Sequence, residues 1–243
     1  PTRMRSQVVS KDQLATYQFG DSDLVVVVGD EGLVVNAAKY VGSQPVIAVN
    51  AYRAKSKLET CRPRGFQQAL AATLEERAEI ELLTMAQATL DDGQVLYALN
   101  DIRVGHASHV SSRYLISYRG DEERQSSDGV LVSTGTGSTG WLTSIVTTAQ
   151  KLTGAPSELT VPFAGNSGNL AFVALNTYPS DNTGTSIGCG YLSKGSPLVM
   201  TSEMPQNGVI FGDGVEQDYL QFNAGRTATI APADKRVNLV QYG

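Results

Sequence analysis

Cysteine and histidine are scarce in this chain, and this limits the kinds of site that it can build. The sequence has only Cys61 and Cys189, far apart, which excludes a disulfide framework and a cysteine-based zinc site. His106 and His109 lie three residues apart, but no third ligand and no HExxH motif accompany them. Cysteine and histidine therefore provide no recognisable metal motif, so no metal ligand is named among them, and the two thiols are typical of a reducing cytosol.

Excess positive charge and long apolar runs are also missing. The formal net charge is -5, which argues against a broad nucleic-acid surface. No apolar run is long enough to span a membrane, and no signal peptide is visible, so we expect a cytoplasmic protein without membrane or nucleic-acid partners. The chain begins at Pro1 rather than Met, and we expect its N-terminus to be truncated.

Glycine and hydrophobic residues are plentiful. The 24 glycines suit tight turns and close approach of the backbone to a ligand. Hydrophobic residues make up 41% and charged residues 18% of 243 residues, which predicts a globular chain with a sizeable core, in one large domain or two small ones.

The first part of the chain has the pattern of an α/β domain. Residues 23–28, D-L-V-V-V-V, are apolar on both faces, which predicts a buried parallel strand. A predicted helix at 33–41 and a second buried strand at 45–49 complete a βαβ unit. Because ligands bind outside the carboxyl ends of strands in open α/β sheets, the turn at 29–32 and Asn50 are candidate site positions.

The predicted secondary structure changes near Gly93, from a mixture of helices and strands to mostly strands. Residues 65–76 are predicted to be helical, 78–90 are ambiguous between helix and strand, and strand-like segments dominate from Gln94 onward. We therefore predict an α/β nucleotide-binding domain at 1–93 and a β-rich domain at 94–243. The predicted strands of the second domain lie at 95–99, 112–118, 129–133, 170–174, 197–200, 209–210, 228–230 and 237–240, with one helix at 142–152.

The first candidate site is the G-D-E-G turn between the first predicted strand and helix. Gly29 and Gly32 allow backbone N–H groups to approach phosphate, and the start of a helix favours anions. The adjacent carboxylates of Asp30 and Glu31 would repel phosphate unless a cation such as Mg²⁺ bridges them. An ordinary turn capped by Asp30 explains the same residues, and neither a Walker motif nor GxGxxG is present here.

Two further candidates lie in the second domain. Asn100 and Asp101 follow a predicted strand, and their side chains can hold sugar hydroxyls, although an Asx turn is a common reason for such a pair. The loop S-T-G-T-G-S-T-G at 133–140 lies between a strand and a helix, and its hydroxyl and N–H groups make a natural cradle for an anion or nucleotide. A merely flexible loop is the alternative, but ordering such a loop costs conformational entropy.

Taken together and in this order, the motifs resemble those of the NAD kinases, a family related to diacylglycerol and sphingosine kinases. G-D-E-G-L at 29–33 resembles the family's G-G-D-G-T, and P-V-I-A-V-N at 45–50 resembles its P-V-x-G-x-N. A-L-N-D at 98–101 resembles its A-L-N-E/D, and 128–141 resembles its D-G-x-x-V-S-T-P-T-G-S-T-A-Y. The ending G-T-G-S-T-G-W is closer to a divergent branch that includes mitochondrial NAD kinases and bacterial proteins described as sugar kinases, and Asp213-Gly214 resembles a late D-G pair.

The resemblance implies a Rossmann-like α/β N-terminal domain, a β-rich C-terminal NAD-binding domain, an active site between them and a homo-oligomer. It implies that ATP, with Mg²⁺, phosphorylates the 2′-hydroxyl of the adenosine ribose of NAD to give NADP. Glu31 falls at the family's catalytic Asp, with Asp30 as the alternative in a shifted register. The candidate binding residues are Gly29, Gly32, Asn50, Asn100, Asp101, Asp128, Thr134, Thr136, Gly137, Ser138 and Thr139.

Several positions depart from the family. Glu31 replaces Asp, and one extra methylene moves the carboxylate by roughly 1 Å, a displacement that can cost about 100-fold in rate. Asp30 replaces the second glycine, which removes the freedom to adopt positive φ and adds a negative charge near phosphate. Leu33 replaces a hydroxyl-bearing Thr, and Trp141 replaces Tyr.

The segment after Asn50 also differs, because it is basic. Arg53, Lys55 and Lys57 either meet substrate phosphates or form a solvated loop. These departures leave two alternatives to an NAD kinase: a kinase for another hydroxyl acceptor (a nucleoside, sugar or lipid), or a catalytically impaired dinucleotide-binding protein.

Overall fold

The computed structural model describes residues 4–52 and 56–242, which form two compact units. The first unit extends to Glu81 and includes the C-terminal segment from Val237, whereas the second runs from Leu82 to Arg236. This division differs from the sequence-based boundary near Gly93. The strand that contains Leu82 contributes Ala86 and Ala88 to the core of the second unit, which moves the boundary toward the N-terminus.

The first unit contains the predicted βαβ arrangement. Its elements are β1 (Val25–Gly29), α1 (Glu31–Ala38), β2 (Pro45–Asn50) and α2 (Phe66–Leu74), followed by the start of β3 (Glu79–Leu90) and, from the C-terminus, the end of β14 (Thr227–Gln241). β1 pairs in parallel with β2, and β2 pairs in parallel with the end of β14. The core of this unit contains Ile47, Val49, Cys61, Ala69 and Val240.

The predicted burial of the first strand is wrong for one of its faces. Val27 is buried, but Val26 is 37% and Val28 is 60% exposed. Both exposed valines lie on the same face, because side chains alternate along a strand. β1 is also the edge strand of its sheet, and this face of the strand is only partly covered.

The second unit is rich in strands, as predicted. Its elements are β4 (Val95–Ala98), β5 (Asp101–His106), β6 (Ser112–Tyr118), β7 (Asp121–Ser127), β8 (Gly129–Thr134), α3 (Trp141–Thr153), β9 (Leu170–Leu175), β10 (Cys189–Leu192), β11 (Leu198–Ser202), β12 (Gly208–Gly212) and β13 (Tyr219–Gln221), with most of β3 and β14. The fold class predicted from the sequence, an α/β part followed by a β-rich part, is therefore confirmed.

The strands of the second unit form two sheets around one core. One sheet has the order β4-β3-β14-β11-β6-β7, and the other has the order β10-β9-β8-β5-β12-β13. A single hydrophobic core takes side chains from both, including Ile102 and Phe172 of the second sheet and Tyr114 and Ile230 of the first. Helix α3 packs through Leu142 on the other face of the second sheet.

Four strands of this unit were not predicted, namely β5, β7, β10 and β13. The sequence of β7, D-E-E-R-Q-S-S, lacks apolar residues, and it is a strand because it forms the edge hairpin partner of β6. The segments 228–230 and 237–240 were predicted as separate strands, but both belong to β14. The ambiguous segment 78–90 is the strand β3, and of the helices that the structure describes, none combines the length and apolar character needed to cross a membrane.

Candidate functional site

The candidate residues of the first unit meet at the carboxyl ends of β1 and β2. Gly29 and Asn50, the last residues of these strands, are directly paired in the parallel register. The sequence placed both at strand ends, and the parallel pairing brings them to the same edge of the sheet. This edge carries Asp30 and Glu31 as well, because α1 begins immediately after β1.

Asp30 is the N-cap of α1. Its Oδ1 accepts a hydrogen bond from the backbone N–H of Leu33 at 2.9 Å, which satisfies one of the free donors at the helix start. Its φ of -89° is ordinary for any residue, so replacing the family's glycine here costs no backbone strain. Gly32 is not required by space either, since an added Cβ would meet only Asp30 Oδ1, at 3.5 Å.

Glu31 is exposed at the first position of α1. Its Oε2 accepts a hydrogen bond from the hydroxyl of Ser56 at 2.7 Å. Sequence reasoning missed Ser56, which lies in the basic segment after β2. The hydrogen bond brings Ser56 into contact with the predicted catalytic acid.

Asn50 bonds to Tyr52 and Glu59, which follow β2 in the chain. Its Oδ1 accepts a hydrogen bond from the backbone N–H of Tyr52 at 2.9 Å, and its Nδ2 donates to Glu59 Oε2 at 2.8 Å. Burial acts to raise the pKa of Glu59, but hydrogen bonds from Asn50 and the backbone of Ser56, together with the charge and hydrogen bond of Arg62, hold the pKa below its usual value. Asn50 therefore has a structural task as well as a position at the strand end.

Only one member of the basic segment can be placed. Arg53 and Lys55 lie outside the described residues, and Lys57 is exposed. The proposed contacts of these residues with substrate phosphates stay predictions.

In the second unit, Asn100 and Asp101 lie at the junction between β4 and β5. The carboxylate of Asp213 accepts hydrogen bonds from three consecutive backbone N–H groups, those of Leu99, Asn100 and Asp101, at 3.1, 2.7 and 3.3 Å. Asp213 adopts φ of 59° in the turn after β12, and Gly214 follows with φ of 70°. The late D-G pair of the sequence thus fixes the backbone of the A-L-N-D motif.

The hydroxyl-rich loop packs against the same junction. Thr134 donates its side-chain hydrogen bond to Leu99 O at 2.6 Å and its backbone N–H to Asn100 O at 2.9 Å. A Cβ added at Gly137 would lie 2.3 Å from the carbonyl oxygen of Asn100, so only glycine fits there. Three motifs that are distant in sequence are therefore brought together within the second unit.

Two loop hydroxyls that the sequence places in the nucleotide cradle form hydrogen bonds with the protein backbone, and their contact with a nucleotide stays a prediction. Thr134 bonds to Leu99, and the buried Ser138 donates to Gly135 O at 2.7 Å while accepting from Phe163 N at 3.1 Å. Thr139 is exposed, and its hydroxyl donates to the carbonyl of Thr136 at 3.4 Å.

The loop also contains a polar group that has no partner. Thr136 Oγ1 is buried and makes no hydrogen bond with any described residue. A buried hydroxyl without a partner is costly, so its presence is consistent with a ligand that completes it.

Asp101 has the most perturbed carboxylate among the candidate residues. Burial raises its pKa to about 6, with a hydrogen bond from Ser133 opposing the rise and the negative charge of Asp213 adding to it. Its Oδ1 is buried without a hydrogen-bond partner among the described residues. Perturbed carboxylates with unused acceptors are typical of binding and catalytic sites.

Asp128 does not join this cluster. Asp101 pairs with Ser133, whereas Asp128 precedes Gly129 at the opposite end of β8, so roughly 16 Å of strand separates them. Asp128 Oδ2 accepts a hydrogen bond from Asn176 Nδ2 at 2.6 Å. The structure therefore places Asp128 apart from Asn100 and Asp101 within one chain.

The cysteines and histidines are not part of the cluster around Asn100 and Asp101. Cys61 is buried in the first core, and Cys189 is half-buried with its Sγ 3.8 Å from Glu158 Oε2. His106 accepts at Nδ1 from the backbone N–H of Ser108 at 3.1 Å, and His109 is exposed. Over the described ranges, no group of three or more His, Cys, Asp or Glu side chains has an arrangement suited to a metal ion.

Curated proteins that are similar in sequence to this chain include NAD kinases, the family that the motifs resemble. Two curated NAD kinases, from Geobacter sp. strain M21 and Citrifermentans bemidjiense, are each 27% identical to the chain over 154 residues, which covers 57% of this chain and 51% of each relative. The chain therefore spans about half the length of the curated relatives that it matches. No family model matches the chain.

Solved structures share the fold. A yeast NADH kinase complexed with NADH superposes with a TM-score of 0.69 at 18% identity, covering 91% of this chain and 62% of that one. An NAD kinase from Archaeoglobus fulgidus in complex with ATP superposes with a TM-score of 0.64 at 17% identity, covering 94% of this chain and 79% of that one. The resemblance predicted from the motifs is confirmed: the chain is similar in sequence to NAD kinases and has the fold of NAD and NADH kinases.

Proposed function

We propose that this chain is the core of an NAD-kinase-like phosphotransferase that uses ATP to phosphorylate the 2′-hydroxyl of the adenosine ribose of NAD, giving NADP. The observation that carries the proposal is the buried carboxylate of Asp101, whose Oδ1 has no hydrogen-bond partner among the described residues. This oxygen lies at the position where the motif resemblance puts the acceptor, and a ribose hydroxyl is the kind of donor that it lacks.

The surroundings of Asp101 suit a fixed sugar. Asp213 clamps the backbone on which Asn100 and Asp101 stand, so their side chains are held by a rigid support. Thr136 Oγ1 supplies a second unpartnered group in the same loop cluster. Asn100 and Asp101 are the acceptor-binding residues of the proposal, and Thr136 completes the pocket.

The proposed chemistry needs one proton acceptor and charge neutralisation. Glu31 takes the proton of the 2′-hydroxyl while that oxygen bonds to the γ-phosphorus of ATP, and the bond to the β,γ-bridging oxygen breaks to release ADP. Asp30, the neighbouring carboxylate, would hold Mg²⁺, which would supply neutralisation of the phosphate charge. That Glu31 and Asp101, which belong to different units, share one cleft stays a prediction.

The nucleotide loop contributes mainly through its backbone. Thr134 and Ser138 shape the loop from inside, and Gly137 allows it to lie against Asn100. This leaves loop N–H groups and the exposed Thr139 to meet a nucleotide. We also propose a homo-oligomer in the cytoplasm, in line with the family resemblance and with two free cysteines.

A second candidate is a protein that binds a dinucleotide without turnover. This candidate is favoured by the hydrogen bonds that the two acids already make. Asp30 caps α1, and Glu31 accepts a hydrogen bond from Ser56. Both acids are therefore already engaged by hydrogen bonds within the protein.

The two candidates are separated by a binding measurement followed by an activity measurement. We expect NAD to raise the thermal midpoint of the chain, and ATP with Mg²⁺ and NAD to give NADP in a coupled assay. Asp101→Ala is expected to abolish the shift with NAD, whereas the control Asp234→Ala, at a carboxylate that is 94% exposed, should keep it. An unchanged shift in Asp101→Ala would remove the assignment of the acceptor site.

The role of Glu31, in the turn between β1 and α1, is tested by Glu31→Gln. We expect this variant to bind NAD normally and to lose NADP formation. Normal turnover would transfer the catalytic role to Asp30, and NAD binding without turnover in the unmodified chain would favour the non-catalytic candidate.

A further inference from the structure

The predicted catalytic carboxylate is held by a residue from another part of the chain. Ser56 donates its hydroxyl to Glu31 Oε2 at 2.7 Å, although 25 residues separate the two in sequence. Glu31 is otherwise exposed, and its Oε1 accepts no hydrogen bond from any described residue. One oxygen of the carboxylate is therefore fixed, while the other is free to meet a substrate.

The Ser56 hydroxyl is oriented by its own surroundings. Its Oγ accepts a hydrogen bond from the backbone N–H of Leu58 at 3.0 Å. A hydroxyl has one hydrogen to donate and accepts through its lone pairs, so the bond from Leu58 leaves the single O–H of Ser56 for Glu31. The donor and the acceptor of this pair are therefore matched.

The position of Ser56 is fixed by neighbouring groups of the same segment. Leu58, two residues further on, is buried. Glu59 Oε2 accepts hydrogen bonds from the backbone N–H of Ser56 at 3.4 Å and from Asn50 Nδ2 at 2.8 Å. Arg62 Nε lies 2.7 Å from the other oxygen of the Glu59 carboxylate. Ser56 is therefore tied to the end of β2 through Glu59.

The next residues attach the same segment to β2 through the backbone. The N–H groups of Thr60 and Cys61 donate to Ala48 O at 2.9 and 3.1 Å. β2 in turn pairs with β1, and α1, which begins with Glu31, follows β1 in the chain. Both partners of the bond between Ser56 and Glu31 therefore stand on one connected support, which is what a precise site requires.

A glutamate at this position needs such a support more than an aspartate does. Its extra methylene places the carboxylate roughly 1 Å farther out, and an error of that size in a reacting group can cost about 100-fold in rate. The longer side chain also has more rotamers to lose when it is ordered. The hydrogen bond from Ser56 selects one arrangement of the Glu31 side chain before a substrate arrives.

We propose that Ser56 is a positioning residue for Glu31, and that its hydrogen bond to Oε2 holds the longer carboxylate with Oε1 free to take the proton of the acceptor hydroxyl. This inference rests on the proposed function, in which Glu31 is the proton acceptor. It gives a role to the segment after β2, which departs from the family pattern. In the non-catalytic candidate the same hydrogen bond occupies the acid, so its removal has opposite consequences for turnover in the two cases.

The positioning role is tested by the kinetics of NADP formation. The variants are Ser56→Ala, which removes the hydroxyl, and Ser56→Thr, which keeps it, with Ser22→Ala as the control at an exposed serine of the same unit. We expect Ser56→Ala to lower kcat about tenfold or more, and Ser56→Thr to retain most of it. The KM for NAD and the thermal shift with NAD should not change, because the proposed acceptor site is at Asp101.

Glu31→Asp separates a positioning role from a general effect on the segment. It retains a carboxylate, so turnover stays measurable, but this group is drawn back by roughly 1 Å and leaves hydrogen-bond reach of the Ser56 hydroxyl. Adding Ser56→Ala to Glu31→Asp should therefore lower kcat no further. Loss of a merely structural contact would cost the same factor in both backgrounds, and equal factors would overturn the proposal.

The outcomes also separate this inference from the proposed reaction. NADP formation that Ser56→Ala leaves unchanged would refute the positioning role and leave the reaction standing. A rise in kcat would refute the role as well, because the hydrogen bond would then restrain the acid unproductively. Absence of NADP from the unmodified chain and from every variant would refute the reaction and the role together.

Discussion

In the first unit the candidate acids lie on an exposed strand-to-helix turn, whereas in the second unit the candidate residues are buried against one another. Asp30 and Glu31 are each held by one hydrogen bond, from Leu33 and Ser56. Around Asn100, by contrast, backbone and side-chain contacts join segments more than a hundred residues apart in sequence. An exposed turn tolerates the departures from the family pattern, while the buried cluster retains the small residues and the carboxylate that its packing requires.

This comparison predicts that substitutions will have unequal effects in the two units. Changes in the second unit remove contacts that cannot relax, because the neighbouring atoms belong to the backbone of a packed core. Changes at the turn of the first unit remove single solvent-exposed bonds. The predictions below run from the largest expected effect to the smallest.

The largest effect is expected for Gly135→Ala. A Cβ at this position would lie 1.9 Å from the carbonyl oxygen of Ala164, so the loop or the 164–165 segment must move. We expect a loss of about 3 kcal/mol in the free energy of unfolding, measured with urea. Gly195→Ala is the matched control, because nothing lies within 4 Å of its added Cβ, and it should be neutral. A Gly135→Ala variant as stable as this control would show that the loop is not packed as described.

The clamp beneath the A-L-N-D motif is tested by Asp213→Asn. The substitution replaces one acceptor oxygen by an NH₂ group that faces backbone donors, so we expect a loss of about 2 kcal/mol in the free energy of unfolding. Asp234→Asn, at an exposed surface ion pair, should leave the free energy of unfolding unchanged. Similar losses in the free energy of unfolding for the two variants would mean that the three hydrogen bonds from the backbone to Asp213 add no stability.

The buried carboxylate of Asp101 predicts a pH dependence. Its pKa in the folded chain is about 6, above the usual value of about 4, so the folded state holds this proton more tightly than the unfolded state. The associated stability is fully present below about pH 4 and is lost as the pH rises through about 6. At pH 7, Asp101→Asn should therefore be more stable than the unmodified chain by about 1–2 kcal/mol.

The measurement for Asp101 is the difference in unfolding free energy between the two chains across this pH range. The difference isolates Asp101 from the other carboxylates, which titrate in both chains. It should shrink as the pH falls from 7 to 4, and parallel curves would refute the raised pKa. A variant that gains stability and loses NAD binding would identify a residue kept for function at a cost to the fold.

The smallest effect is expected at the turn of the first unit. Asp30→Ala removes the cap of α1 and should lower the free energy of unfolding by about 1 kcal/mol, whereas Asp30→Ser keeps a capping oxygen and should lose less. Both are measured by urea unfolding. An Asp30→Ala loss as large as that of Gly135→Ala would contradict the contrast between the exposed turn and the buried cluster.

The sequence anticipated part of the site for sound local reasons. Asp30 was recognised as a possible cap, because Asp between a strand and a helix commonly caps the helix. Asn50 and Gly29 were placed at strand ends, and their parallel pairing was expected from the βαβ pattern. The Ser56 hydroxyl was missed, since nothing in its local sequence indicates which acid it will meet.

Ser138 and Asp101 have surroundings that their local sequence does not predict. The hydroxyl of Ser138 looked available for a nucleotide, but it bonds to Gly135 and Phe163 because the 163–165 segment packs on the loop. Asp101 was predicted to hold a sugar, and its role stays a prediction. Its burial and the clamp from Asp213 depend on a turn 112 residues later in the chain.

The sequence by itself determined the local structure and the resemblance to NAD kinases, because hydrophobic periodicity, glycine positions and short motifs act through neighbouring residues. Only the tertiary structure decided which polar groups are satisfied by the protein and which, such as Asp101 Oδ1 and Thr136 Oγ1, have no hydrogen-bond partner among the described residues. The reason is that hydrogen-bond partners in the second unit come from segments joined by the core, and the order in which strands assemble around that core is not encoded in any one motif.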